Sequence, residues 1–492
     1  MKKILLSLLL LFSVAFNSYT QNKDAAKEFY SVEELKQDFT VFRDSLEEGH
    51  PALYRYKSKK EMDAIFETAS ASITKQLSDR EFMLLLCNVV AQIGDGHLRV
   101  VPPKVHLDKL DESSTAIPFQ VYWSENKLYV RRNYSTLDDK EFTGAQIISI
   151  NGHSIEDFIK DYLIHFPSDG NNITNKYRML ERSRFFTRNF YILYGYTESY
   201  QVAYLSPNET TVKTAKLQGL LFDNLIEIQA KRYPTIAAQP LADFNISAQD
   251  QSAYLRISSF DKERLKDAKT DFPKFVKNSF KSLEDNKIKS LILDLRGNGG
   301  GTDEYGKLLF SYFINQSFDY YESLRMNKES YDFFKYTNRP GMKAPNGMLK
   351  ANSEGTFDNI QHPNVGKQAP SLPTFTGNIY VLINGACFST TSEFLSLLHF
   401  HTKAVFIGEE SGGGYYGNSS GPTPDLKLPN SKVRIEIPLM KYAMAVKGYQ
   451  FADRGLIPNH IIVPTIKDKL ENRDLELEFA KDLIRKQASE KD

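Results

Sequence analysis

Asn378-Ile379-Tyr380-Val381-Leu382-Ile383-Asn384-Gly385-Ala386-Cys387-Phe388-Ser389-Thr390-Thr391-Ser392-Glu393-Phe394 reads as an apolar run, a turn of small residues and the opening of a helix. The unbroken apolar stretch predicts a buried strand, and the periodic Phe394-Leu395-Ser396-Leu397-Leu398 predicts a helix that begins at or near Ser389. A hydroxyl at that point has two readings. As a helix cap it accepts a hydrogen bond from an amide of the first turn. As a nucleophile it stands beside those same free amides and the positive end of the helix dipole, where a tetrahedral oxyanion finds donors already aimed at it. Other parts of the chain favour the nucleophile.

The same scheme recurs on either side. Lys289-Ser290-Leu291-Ile292-Leu293-Asp294-Leu295 is too continuously apolar for a sheet with one wet face, and a glycine-rich turn and a helix over about 304–314 follow it. Ala404-Val405-Phe406-Ile407-Gly408 is a third strand. Strands alternating with helices from about residue 250 predict a mixed α/β fold whose sheet is covered by helices. Upstream, residues 27–93 read as helical, and Gly94-Asp95-Gly96 should stop the last helix. Alternating runs at 118–122, 127–130 and 146–152 then predict a small β-rich module over about 115–215, with one or two helices. Residues 318–375, rich in Pro, Gly, Asn and charge, read as a long surface excursion and a candidate lid.

The balance of 62 Lys and Arg against 61 Asp and Glu leaves no global field to draw the chain to nucleic acid or anionic lipid, so neither is expected as a partner. Lys2 and Lys3 precede an apolar core from Ile4 to Phe16 that is too short to cross a bilayer. This layout predicts a signal peptide over residues 1–20, cleavage before Gln21, and an exported mature protein with no membrane span. Cys87 and Cys387 lie far apart in sequence and read as small buried residues, though export would permit a bridge between them.

Asp294-Leu295-Arg296-Gly297-Asn298-Gly299-Gly300-Gly301 follows a buried strand, and such glycines let backbone amides approach a ligand closely. A dinucleotide loop needs a third glycine where Thr302 stands, so the run reads instead as a donor loop for an oxyanion. Gly94-Asp95-Gly96-His97 places an imidazole in a turn open to a ligand. His399 and His401 point to different faces of a helix, and no Cys/His cluster has zinc spacing, so no metal or other cofactor is expected. A serine nucleophile needs a base, and His97 is the candidate.

Together Gly94–Val100, Leu291–Gly301, Phe388–Glu393, Gly408–Gly414 and Arg454–Pro458 resemble the tail-specific (C-terminal-processing) serine peptidase family. The likeness is to its His-using branch, typified by the tricorn core protease. It implies a helical subdomain with the catalytic His (21–110), a PDZ-like module (115–215) and a crotonase-like ββα peptidase core (220–492). It also implies an exported serine endopeptidase acting on peptide or protein through an acyl-enzyme. By this resemblance Ser389 is the nucleophile, His97 the general base, and the amides of Thr390 and of Gly299 or Gly300 the oxyanion donors. The chain departs from the family in two places. The Lys that tail-processing members carry after the nucleophile helix has no counterpart in Gly408–Gly417. The tricorn-like branch orients its His with a preceding Ser and a Glu near the Gly-x-x-Pro segment, whereas here Gly96 precedes His97 and the nearby acid is Asp453. Asp453 is the expected orienting carboxylate, with Glu410 and Asp95 behind it. A second reading resembles retinoid-binding relatives: a non-catalytic binder of a peptide or apolar ligand, which the missing Lys and Gly96 favour. An esterase using the same Ser is a third.

Overall fold

The computed structural model describes residues 27–234 and 239–489; the expected signal peptide at 1–20 lies outside the described residues. Three helices open the described chain, Val32–Gly49, Lys59–Ala71 and Asp79–Ile93. Each begins with a reciprocal capping box, Ser31 with Glu34, Ser58 with Glu61 and Ser78 with Glu81, which satisfies amides that the first turn leaves free. The third helix ends at Gly94, whose φ of 76° is the left-handed conformation that a glycine adopts without strain. The chain leaves it through Asp95-Gly96-His97 into the short strand Arg99–Val101, which pairs antiparallel with Arg434–Glu436. The imidazole turn is thereby tied to a segment more than 330 residues further along the chain.

Residues 119–218 hold an antiparallel sheet in the order Phe119–Ser124, Lys127–Asn133, Gln146–Ile150, Ser199–Leu205 and Lys213–Gln218. Helices Ile155–His165, Thr174–Leu180 and Ser183–Tyr194 are inserted before its last two strands and the short Asp139–Phe142 before its third, so the module holds four helices where the sequence pattern suggests one or two. Two of these pack against the Asp79–Ile93 helix.

The largest apolar strands form a six-stranded sheet in the order His460–Ile461, Val405–Gly408, Asn378–Ile383, Ser290–Asp294, Ser252–Ile257 and Ala242–Ser247. All neighbours are parallel except the last pair. Every residue of Ser290–Asp294 is buried, as its unbroken apolar sequence requires. One face carries Ile292, Tyr380, Leu382 and Ile407 against Ala480 and Ile484 of the C-terminal helix Leu475–Ser489. The other face, with Leu291, Leu293, Val381 and Ile383, joins the main core. Parallel strands deliver their following loops to one edge of the sheet, so 295–302, 384–389 and 408–414 converge there.

The excursion expected over 318–375 is in large part a folded layer. Tyr321–Met326 pairs with Met440–Met444 on one side and with Phe357–Asn359 on the other. Tyr320, Tyr321, Leu324, Tyr331, Phe333 and Phe334 are buried. The polar composition belongs to the connecting turns, and a few aromatic residues are enough to anchor the segment. Cys87 and Cys387 are both buried and unpaired. No helix among the described residues is long and apolar enough to cross a membrane.

Candidate active site

Ser389 sits between the end of Asn378–Ile383 and the helix Thr390–His401 with φ 55° and ψ −131°. A side chain in that region of backbone space costs on the order of 1–3 kcal/mol and persists only where the surroundings enforce it. The hydroxyl does not cap the helix and makes no hydrogen bond among the described residues. The cap reading therefore fails on geometry: the serine is held in strain with its oxygen free and partly exposed. Ser389→Gly is expected to relieve that strain, melting above Ser389→Ala by a margin corresponding to about 1 kcal/mol in thermal or denaturant unfolding.

Two glycine-rich loops enforce the turn. Gly300 has φ 93°, and a Cβ there would stand 2.7 Å from the Phe388 carbonyl oxygen and 2.8 Å from the Ser389 Cβ. On the other side a Cβ on Gly413 would stand 2.6 Å from Ser392 Oγ and 3.3 Å from the Ser389 nitrogen. Buried Asn298 joins the first loop to the turn: its carbonyl accepts from Phe388 N–H at 3.1 Å, and its Oδ1 accepts from Gly300 N–H at 3.0 Å. Of the two expected glycine donors, Gly300 thus has its amide committed to Asn298. The amides of Gly299 and Thr390 have no acceptor among the described residues. Gly300→Ala should cost more than about 2 kcal/mol of stability and at least tenfold in turnover, because backbone atoms on both sides would have to move. A soluble variant with native melting temperature and rate would refute this packing.

The imidazole turn meets the serine turn through Phe388. The His97 ring stacks on the Phe388 ring, centroids 4.6 Å apart and planes at 27°. Gly96 is glycine for the same reason, since a Cβ there would lie 2.9 Å from Phe388 Cζ and 3.2 Å from Asp169 Oδ1. Asp169 was not foreseen, because an aspartate before a glycine in a loop is a weak signal among many. It accepts from Gly96 N–H at 2.8 Å and from Gly414 N–H at 2.9 Å, so it staples the imidazole turn to the loop beside Ser389.

Asp95 accepts from the His97 amide at 2.8 Å, and its other oxygen lies 3.0 Å from His50 Nε2. One ligand-type atom from each of Asp95, His97 and Asp169 lies within 4.8 Å of the other two. That trio has the composition to hold a cation, and equally the composition of a base flanked by its carboxylates. Asp453 stands elsewhere than expected. Its carboxylate accepts from the Asn171 side chain, its carbonyl accepts from Asn171 N–H at 2.9 Å, and Gly170 is pressed against it. It therefore shapes the loop that carries Asp169 and sits one step removed from the imidazole. Glu410 is likewise occupied, by the Arg454 guanidinium and by Gly455 N–H at 2.9 Å.

Burial, the largest cause, holds the His97 pKa down at about 4, with Arg99 acting in the same sense and Asp95 and Asp303 opposing it. Its Nδ1 is buried without a hydrogen-bond partner among the described residues. Burial raises the Asp169 carboxyl, and the Asp95 charge adds to that, against the Gly96 and Gly414 amides. For Asp95 burial also opposes the charge, but the His50 hydrogen bond and the His50 and His97 charges more than offset it and hold the group low. At neutral pH the imidazole is neutral, the state in which it can accept a proton.

Residues 251–462 match the family profile described as Peptidase family S41. No curated protein matches the chain. Among solved structures the chain is similar to mature CPAF complexed with lactacystin, at 14% identity, covering 93% of this chain and 98% of that one, with a TM-score of 0.60. It is also similar to a mutant of CPAF, at 13% identity, covering 92% and 96%, with a TM-score of 0.63. At such identity these two show a shared fold along nearly the whole chain. The profile match opens on Ser252–Ile257 and runs to the His460–Ile461 strand, so every loop that the parallel sheet sends toward Ser389 lies inside the segment that matches peptidase family S41, the tail-specific serine peptidases.

Proposed function

We propose that this serine peptidase cleaves peptide bonds through an acyl-enzyme, with Ser389 as nucleophile and His97 as general base. The observation that carries the reading is the Ser389 turn itself: a strained φ of 55° with its hydroxyl withheld from capping. A serine spared from structure, beside the unengaged amides of Gly299 and Thr390, has the parts an acyl transfer needs. His97 takes the hydroxyl proton as Ser389 attacks the carbonyl carbon, and returns it to the leaving amine. The two amides hold the oxyanion, and loss of one such donor typically costs about 10²–10³ in rate. Asp95 and Asp169, in place of Asp453, hold the imidazole turn and stabilise the imidazolium. The positive, then apolar, N-terminus supports action after export.

Fluorophosphonate labelling of the mature protein, followed by peptide mapping, tests this assignment. The label should sit on Ser389, and a label on any other residue would overturn it.

A further inference from the structure

A cavity of about 560 Å³ opens beside the site, with Gly96, Gly299, Ala386 and Phe388 in its wall. Its body is apolar, with Val90, Leu110, Tyr162, Met179, Phe185 and Ile192 among the lining residues. Arg99, Lys176, Arg182, Arg184 and Arg188 also line it, with Asp111 among them. Arg184 is neutralised by Asp111 at 2.5 Å, and Lys176 donates to the Leu163 carbonyl at 2.8 Å. Arg99 reaches Glu436 only at 3.9 Å. Arg182 and Arg188 have no carboxylate at ion-pair distance among the described residues.

These two guanidiniums stand at opposite depths. Arg182 lies at the mouth, its Nη2 3.6 Å from where a Cβ on Gly299 would be, so it borders the oxyanion loop. Arg188 lies within, and its Nε is buried without a hydrogen-bond partner among the described residues. Its guanidinium passes over the Phe185 ring at 5.6 Å. Burial lowers the pKa of both arginines; Arg264 and then Arg99 lower Arg182 further against Glu181, and Arg99 lowers Arg188 further against Glu436. Taking a cation out of water without a counter-charge costs several kcal/mol. Arg188 thus holds a buried N–H without an acceptor among the described residues, while Arg99 and Arg182 line the same cavity from exposed positions; their guanidiniums are the fork-shaped donors that a carboxylate completes.

We propose that this cavity is a substrate subsite that selects a carboxylate, gripped by Arg182 and Arg188 with Arg99 alongside. The inference rests on the peptidase reading above and adds the chemical class of peptide it prefers. The group the cavity takes is an Asp or Glu side chain near the scissile bond. The apolar walls take the methylenes or the neighbouring side chain.

The test uses a series of ten-residue quenched fluorescent peptides with one Glu moved along the sequence, its Gln counterparts, and C-terminal acid and amide forms. For the full chain, kcat/KM should fall about 10- to 100-fold on Glu-to-Gln replacement at one position, the range expected for losing a hydrogen-bonded charge. A loss on amidation with none on Glu-to-Gln replacement would mark capture of a chain terminus and overturn the side-chain assignment. In Arg188→Met the ratio of acid to neutral peptide should collapse toward one. Arg182→Gln, at the exposed mouth, gives the same readout should Arg188→Met fail to fold. Binding of the same peptides, fluorescein-labelled, to Ser389→Ala by anisotropy separates the two readings. An acid preference there that Arg188→Met or Arg182→Gln abolishes supports the subsite even if Ser389 never takes the fluorophosphonate label. Equal kcat/KM and equal binding for acid and neutral peptides, or a preference that survives both arginine substitutions, would overturn it.

Discussion

Ser389→Ala is expected to lose about 10⁵–10⁶ in kcat and to take no fluorophosphonate label, the scale on which serine hydrolases lose activity with their nucleophile. The substitution is a clean one because alanine retains the Cβ that lies against Gly300, and the native hydroxyl has no hydrogen-bond partner among the described residues to lose. Far-ultraviolet circular dichroism and the unfolding midpoint should therefore match the parent. The loss would then belong to the missing oxygen alone. Residual turnover above the uncatalysed rate is also expected, since the amides of Gly299 and Thr390 and the peptide site remain. The decisive number is kcat on a quenched peptide under saturating conditions. A variant within tenfold of the parent would show that acyl transfer occurs elsewhere, and that the strained turn serves some other end.

Much of this was legible in the sequence because it depends on local rules. Ser290–Asp294 is buried along its whole length, and five uninterrupted residues with an apolar core of Leu-Ile-Leu announce that. The arrest of the third helix at Gly94 follows from its left-handed φ. The serine was legible as a hydroxyl where a strand gives way to a helix, but its unused Oγ was not. Cap and nucleophile share a position, and only φ and ψ separate them. The carboxylates illustrate the other limit. Asp95 adjoins His97 in sequence, whereas Asp169 arrives from a loop between two helices of the neighbouring module, 72 residues away. Asp453 was chosen for its place beside Gly455, and three-dimensional packing set it against Asn171 instead. Residues 318–375 misled through composition: polar turns outnumber the aromatic anchors Tyr321, Phe333 and Phe334 that hold the layer in place. Buried Asn298 carried no signal beyond being the non-glycine residue of a glycine run, yet it couples that run to Phe388.

His97→Ala should cost about 10⁴–10⁶ in kcat and slow fluorophosphonate labelling of Ser389 without abolishing the site of attachment, because the base activates the hydroxyl that the probe captures. The pH profile distinguishes this role from a packing role on Phe388. A general base works in its neutral form, so kcat/KM falls on the acid side as the free-enzyme imidazole gains its proton. Burial, the largest cause, brings that pKa to about 4, with Arg99 pulling down and Asp95 and Asp303 pulling up. The plateau should therefore extend well below pH 6.5, where an unperturbed histidine would already be half protonated. The direction of movement is fixed by sign. Arg99→Gln removes a cation that opposes the imidazolium, so the limb should move to higher pH. Asp95→Asn removes a carboxylate that favours it, and the limb should move to lower pH. Shifts in opposite senses from two neighbours, read in kcat/KM with a neutral peptide, are what a titrating His97 produces. An acid limb that ignores both substitutions belongs to another group, and the imidazole would then be a ring that packs against Phe388 and transfers no proton.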